Sequence, residues 1–152
     1  MTDRAFHQGT YAERYLSMGD EAESQFEAHN IQWARYGFNR PDQMTKFYHL
    51  PHVIRYTPDY VQAEPNRLVE VMGMGKTPLK IKLEKLAAMQ WWDGTGAPVW
   101  IWVWSSTRQN YAEIKFRDLM TLINKNDVPL GSFHEGKKYF SISSKLLFWN
   151  GD

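Results

Sequence analysis

The chain has 152 residues, enough for one domain with a real core and too few for two comfortable ones. Eighteen Lys and Arg against 17 Asp and Glu leave a net charge of +1, which excludes a histone-like polycation but permits a local basic face. With 43% hydrophobic and 23% charged residues the chain reads as globular, and the absence of cysteine excludes disulfide, iron–sulfur and zinc-thiolate chemistry.

A cysteine-free chain is expected in a reducing compartment such as the cytoplasm, and any metal must be held by oxygen or imidazole ligands. Met1-Thr2-Asp3-Arg4 begins no apolar leader, so no signal peptide is expected. The longest apolar stretch, Ala97 to Trp104, is too short to span a bilayer, and no membrane partner is expected.

In chain order, Asp20 to His29 favours helix, with Asp20 as its cap and Ala22 and Phe26 on one face. Arg40-Pro41-Asp42 is a turn, and Phe47 to Val61 is predicted extended because Pro51 and Pro58 exclude a continuous helix. Arg67 to Met72 reads as a strand ended by Gly73 and Gly75. Pro78 suits the first turn of a helix running to about Gln90, with Leu79, Leu83 and Leu86 as its apolar stripe. Pro98 to Trp104 has apolar residues on both faces, as a central strand does. Asn110 to Lys125 is predicted as a second core helix, with Ile114, Leu119, Leu122 and Ile123 inward. Two short extended pieces are expected at Gly136 to Ser143 and Leu146 to Trp149. The order predicts a single α/β domain with a mixed sheet and a core over about residues 20–125.

The chemically informative segment is Tyr56-Thr57-Pro58-Asp59-Tyr60 followed by Leu68-Val69-Glu70-Val71-Met72. If the two pieces pair as a hairpin, Asp59 and Glu70 converge. Two hard oxygen ligands on rigid strands suit Mg²⁺ or Mn²⁺, and the Val71 carbonyl can supply a third oxygen. The competing reading is a pair of solvated carboxylates at strand ends. Gly73-Met74-Gly75-Lys76-Thr77 is no phosphate-binding loop, because Glu70 stands where that motif needs its first glycine. His49 and His52 flank Leu50-Pro51 and read as partly exposed histidines, while His7, His29 and His134 are isolated.

Pro58-Asp59 with Glu70-Val71-Met72 resembles the PD-(D/E)xK nuclease superfamily, whose signature is Pro-Asp on one strand and Glu-x-Lys on the next. Within it the chain is most similar to phage endonuclease I type Holliday junction resolvases. Tyr56 to Tyr60, Val69 to Gly73 and Ile101-Trp102-Val103-Trp104-Ser105-Ser106-Thr107-Arg108 stand in that family's order, over about Asp20 to Tyr111. The resemblance implies a restriction-endonuclease-like mixed sheet flanked by helices, and a phage-encoded, Mg²⁺-dependent homodimer that cuts branched DNA. It also implies a glutamate on the first core helix, for which helical spacing favours Glu23 over Glu21, with Glu21 and Glu27 solvated.

The family's lysine is replaced by Met72, an apolar side chain that can neither position water nor stabilise charge. Three explanations stand: the lysine's role has moved to Lys76, Lys80, Lys82 or Lys85, with Lys82 or Lys80 preferred on the expected helix; Met72 is a deliberate inactivating change; or the protein binds DNA without cutting it. An exonuclease or single-strand nuclease on the same fold is a further alternative. For nucleic-acid contact the candidates are Lys76, Lys80 and Lys85, then Arg108 after the Ser-Ser-Thr run, then Lys137 and Lys138 beside Tyr139 and Phe140, whose rings suit stacking. Trp100, Trp102 and Trp104 alternate along one strand face and belong to the core.

Overall fold

A computed structural model describes residues 11–37 and 50–152. The turn at Arg40, the expected extended start at Phe47, and His7 and His49 lie outside the described residues. Helix α1 covers Tyr11–His29, strand β1 Trp33–Arg35, a one-turn helix α2 His52–Arg55, and strand β2 Tyr60–Gln62. Then follow β3 (Arg67–Met74), β4 (Leu79–Lys82), α3 (Leu83–Asp93), β5 (Val99–Ser105) and β6 (Asn110–Lys115). The chain ends with α4 (Phe116–Lys125), β7 (Leu130–Ser132), β8 (Lys138–Ile142) and a 3₁₀ turn at Ser144–Leu146.

The fold is mixed α/β. A five-stranded sheet has the order β1-β2-β3-β5-β6, and a three-stranded sheet the order β4-β8-β7. In the larger sheet only the β3–β5 pair is parallel, because the chain between them passes through β4 and α3. The sheet separates two apolar layers. On one side Ala22 and Phe26 of α1 pack on Tyr60, Val69, Val71, Trp102 and Trp104. On the other, Leu68, Met72, Ile101 and Val103 meet Leu86 and Met89 of α3 and Leu119 and Ile123 of α4. The alternation of β3 and β5 between these layers is the period-2 pattern of strands covered on both faces. Gly73 lets α1 sit close on β3: a Cβ there would come 2.6 Å from the Met18 carbonyl oxygen.

Six expectations change. The first helix begins at Tyr11, so Asp20 lies within it and caps nothing. The segment after Pro51 makes one helical turn before β2. Leu79 to Lys82 is strand, and helix starts only at Leu83. Leu79 and Ile81 are buried while Lys80 is exposed, so the period is 2, whereas Leu83 is largely exposed. Asn110 to Lys115 is likewise a strand, paired antiparallel to β5, and the helix occupies only Phe116–Lys125. The core also runs past residue 125, since Val128, Ile142, Leu147 and Trp149 join it. Leu146 ends a 3₁₀ turn, and Trp149 makes only an isolated bridge to Ala112.

Candidate active site beside β3

β2 and β3 form the expected hairpin, with Tyr60 opposite Val69. Continuing that register sets Asp59 across from Glu70. β2 begins at Tyr60 but β3 runs on to Met74, so among the described residues no strand lies beside this edge of β3 beyond Glu70. The Asp59 carboxylate takes over: its Oδ2 accepts from the Val71 N–H at 2.8 Å. In a strand the N–H and C=O of one residue face the same neighbour, so the Val71 carbonyl faces this edge too. The Tyr36 N–H donates to the Asp59 carbonyl at 2.9 Å and fixes the backbone there.

Glu70 points to the α3 face and is nearly buried, its side chain 7% exposed. Its Oε2 accepts from Lys85 Nζ at 2.9 Å. Met72, two residues on, shares that face and packs into the apolar core. An ammonium therefore reaches Glu70 from α3, not from β3. Lys82 is not that ammonium. As a strand residue it holds its Nζ 5.4 Å from the Phe133 ring centroid, and Lys80 sits in the same way over Tyr139. The preference for Lys82 or Lys80 assumed a helix that begins four residues later.

Burial pushes the Asp59 carboxyl well above its ordinary range, and the Glu70 charge pushes it further; Lys85 and the Val71 N–H oppose this without cancelling it. Burial also raises Glu23, against the nearby Arg35 guanidinium, with Asp20, Glu27 and Glu70 adding to the rise. Glu23 and Glu70 act on each other electrostatically, and Glu23 acts on Asp59. Its Oε1 accepts from Arg35 at 3.4 Å. Glu21 instead accepts from the Trp104 indole at 3.2 Å, which distinguishes the two candidates. Neither Glu21 nor Glu27 is merely solvated: Glu27 accepts from Arg35 at 2.8 Å and from the Tyr60 hydroxyl at 2.5 Å.

Among the described residues no three His, Asp or Glu side chains converge to hold a metal ion. Asp59 and Glu70 are a two-carboxylate pair, the donor set that suits Mg²⁺, which keeps several waters and takes one or two carboxylates.

A second polar cluster adjoins the first. Glu84, next to Lys85 on α3, accepts from Tyr56 at 2.7 Å and Lys137 at 2.9 Å and lies 3.2 Å from His52 Nε2. Burial would raise its carboxyl, but the Tyr56 and Lys137 hydrogen bonds and the Lys137 and His52 charges bring it down to about 2. Burial and the bond to Glu84 in turn push the Tyr56 hydroxyl up to about 12. Lys85 Nζ lies 5.6 Å from the Tyr56 ring centroid and so links the clusters. The sequence assigns neither Tyr56 nor Glu84 a role in the site, although Tyr56 stands in the same segment, three residues before Asp59.

The other candidates are dispersed. Lys76 is exposed beyond β3, and Lys138 is exposed at the start of β8. Arg108 lies over Trp149 at 4.9 Å and donates to Ser144 at 3.2 Å, so it braces the C-terminal segment. Lys137 is engaged by Glu84. Phe140 packs toward the core, and Tyr139 lies flat across Gly131, so neither ring stands out for stacking. No described helix is long and apolar enough to cross a membrane. Comparison of the chain with protein-family models, with curated proteins and with solved structures returns no match.

Proposed function

We propose that the chain is a metal-dependent deoxyribonuclease of the PD-(D/E)xK kind, with Asp59 and Glu70 as metal ligands and Lys85 in the role the motif gives to its lysine. The observation that carries the reading is the Lys85–Glu70 contact of 2.9 Å beside a desolvated Asp59, on the face where Met72 offers no charge. Mg²⁺ or Mn²⁺, when bound, supplies an activated water and Lewis-acid stabilisation of the phosphate.

The chain's own residues divide the remaining work. Asp59 and Glu70 hold the cation on a rigid strand pair, with the Val71 carbonyl facing the same edge. Glu23 adds negative charge from α1. Lys85 balances Glu70 in the resting site and stabilises negative charge on the attacked phosphate. The substrate in this reading is branched DNA of the four-way junction type. Such a junction presents two symmetric cuts, which a homodimer would match. A phage-encoded enzyme acting in its host's cytoplasm completes the reading.

Cleavage of a synthetic junction with Mg²⁺ or Mn²⁺, beside flap, duplex and single-strand substrates, is the test. The expected result is junction cleavage that EDTA and Glu70→Ala both abolish, with Lys85→Met lowering the rate by about 10²–10⁴-fold. If Glu70→Ala cuts as well as the parent, the assignment fails. Met72 favours a second reading, a nuclease fold that binds DNA without cutting it; tight, salt-sensitive binding with no turnover in any metal would establish it.

A further inference from the structure

The small sheet carries a feature that the carboxylate site does not use. Opposite residues in an antiparallel pair share a face. Lys80 pairs with Ser141, and Lys82 with Tyr139, while Leu79, Ile81 and Ile142 turn to the core. Tyr139 also pairs with Gly131 on β7. The outer face of β4-β8-β7 therefore presents Lys80, Lys82, Tyr139 and Ser141, with Phe133 at its margin, 4.4 Å from Tyr139 between ring centroids.

Among the described residues neither Lys80 nor Lys82 is paired with a carboxylate, while Lys85 and Lys137 are. Their ammoniums lie 5.2 Å and 5.4 Å from the centroids of Tyr139 and Phe133. Rings hold the two cations in place without neutralising them. Tyr139 itself is laid down on the sheet: a Cβ on Gly131 would come 2.5 Å from its Cζ. A ring seated in this way supports the Lys80 ammonium above it.

We propose that the outer face of this sheet is a docking surface for the phosphate backbone of duplex DNA, with Lys80 and Lys82 as its phosphate contacts. The inference rests on the reading that the ligand is nucleic acid, and it specifies which part is held and by which face. Two unneutralised cations over flat rings complement a polyanionic backbone, whose phosphates carry no sequence information. The face is tied to the candidate site, because Lys137, next to β8, donates to Glu84 beside Lys85 on α3.

The test is fluorescence anisotropy of the full-length chain on a labelled duplex in EDTA, where cleavage plays no part. Affinity is titrated against salt for the parent, for Lys80→Gln/Lys82→Gln and for Lys125→Gln on α4 as control. The parent should bind duplex, and the double variant should reduce the slope of log Kd against log salt by about 2, one per lysine. Lys125→Gln should leave it unchanged. If the double variant melts early, Lys80→Gln alone should show a change of about 1. An unchanged slope overturns the proposal. So does stronger binding of a single strand that depends on Tyr139 more than on the lysines. A changed slope in a protein that cleaves nothing keeps this face and removes the nuclease reading; cleavage with an unchanged slope does the reverse.

Discussion

The start and the middle of β3 each bury charge, and they do so in opposite ways. At the start, Arg67 is almost inaccessible and fully employed: it donates to Gln62 at 2.8 Å, Glu113 at 2.6 Å and Asn30 at 3.2 Å, and lies over Trp100. One cation meets one anion, and neutral amides accept from two more of its N–H groups. This ties β3 to β2, to β6 across the sheet and to the end of α1. Three residues on, Glu70 meets Lys85 and lies close to Asp59, and burial, with the Glu70 charge added, raises the Asp59 carboxyl. A balanced buried network holds architecture together. Carboxylates buried close together cost stability instead.

The largest effect should come from breaking the balanced network. Arg67→Met leaves Glu113, Gln62 and Asn30 without their donor and should destabilise the fold by about 3–5 kcal/mol, read by urea unfolding. Lys85→Met should also destabilise, by up to about 3 kcal/mol at alkaline pH and by less in acid, where the carboxylates can take up a proton.

Asp59→Asn should act with the opposite sign. A carboxyl raised on folding weakens the fold as pH climbs from its unfolded value, about 4, through its higher folded value. The variant escapes that cost and keeps an oxygen for the Val71 N–H. Its melting temperature should exceed the parent's at neutral and alkaline pH, with the gap closing below about pH 4. Added Mg²⁺ should raise the melting temperature of the parent but not of Asp59→Asn, and more at pH 8 than at pH 5.5, because protons compete for the same carboxylates. An Asp59→Asn protein less stable than the parent at pH 8 would remove the contrast between the two regions.

Met72→Lys should lower stability, since it places an ammonium in an apolar cluster, and should not raise cleavage. A strong gain of cleavage would show that Lys85 does not supply the lysine. The smallest effect should be Arg117→Ala, whose ion pair with Asp93 is 79% exposed on the arginine side; urea unfolding should shift by about 0.5 kcal/mol or less.

Much of this was legible in the chain. Pro58-Asp59 and Glu70 could be placed on two successive extended pieces because the Pro65-Asn66 turn lies between them, and the structure pairs those pieces as the hairpin that brings them together. Trp102 and Trp104 went to the core as their alternation predicts. The misread segments share one cause. Leu79, Leu83 and Leu86 fit a helical stripe, yet Leu79-Lys80-Ile81-Lys82 equally fits period 2, and a four-residue run cannot distinguish the two. Only the partner strand β8, 56 or more residues further on, settles it. That single shift of phase moved Lys80 and Lys82 away from the carboxylates and brought Lys85 to them. Asn110 to Lys115 failed in the same way, because β5 makes it a strand through pairing that composition does not reveal.

Gly73 adds a constraint of a different kind. It contributes no charge and no ligand, yet it sets the gauge between α1 and β3, since any side chain there meets the Met18 backbone. The helix it admits carries Glu23 five residues on. A methyl group at position 73 would thus wedge the glutamate outward and detune the acidic cluster without touching a single ionisable atom.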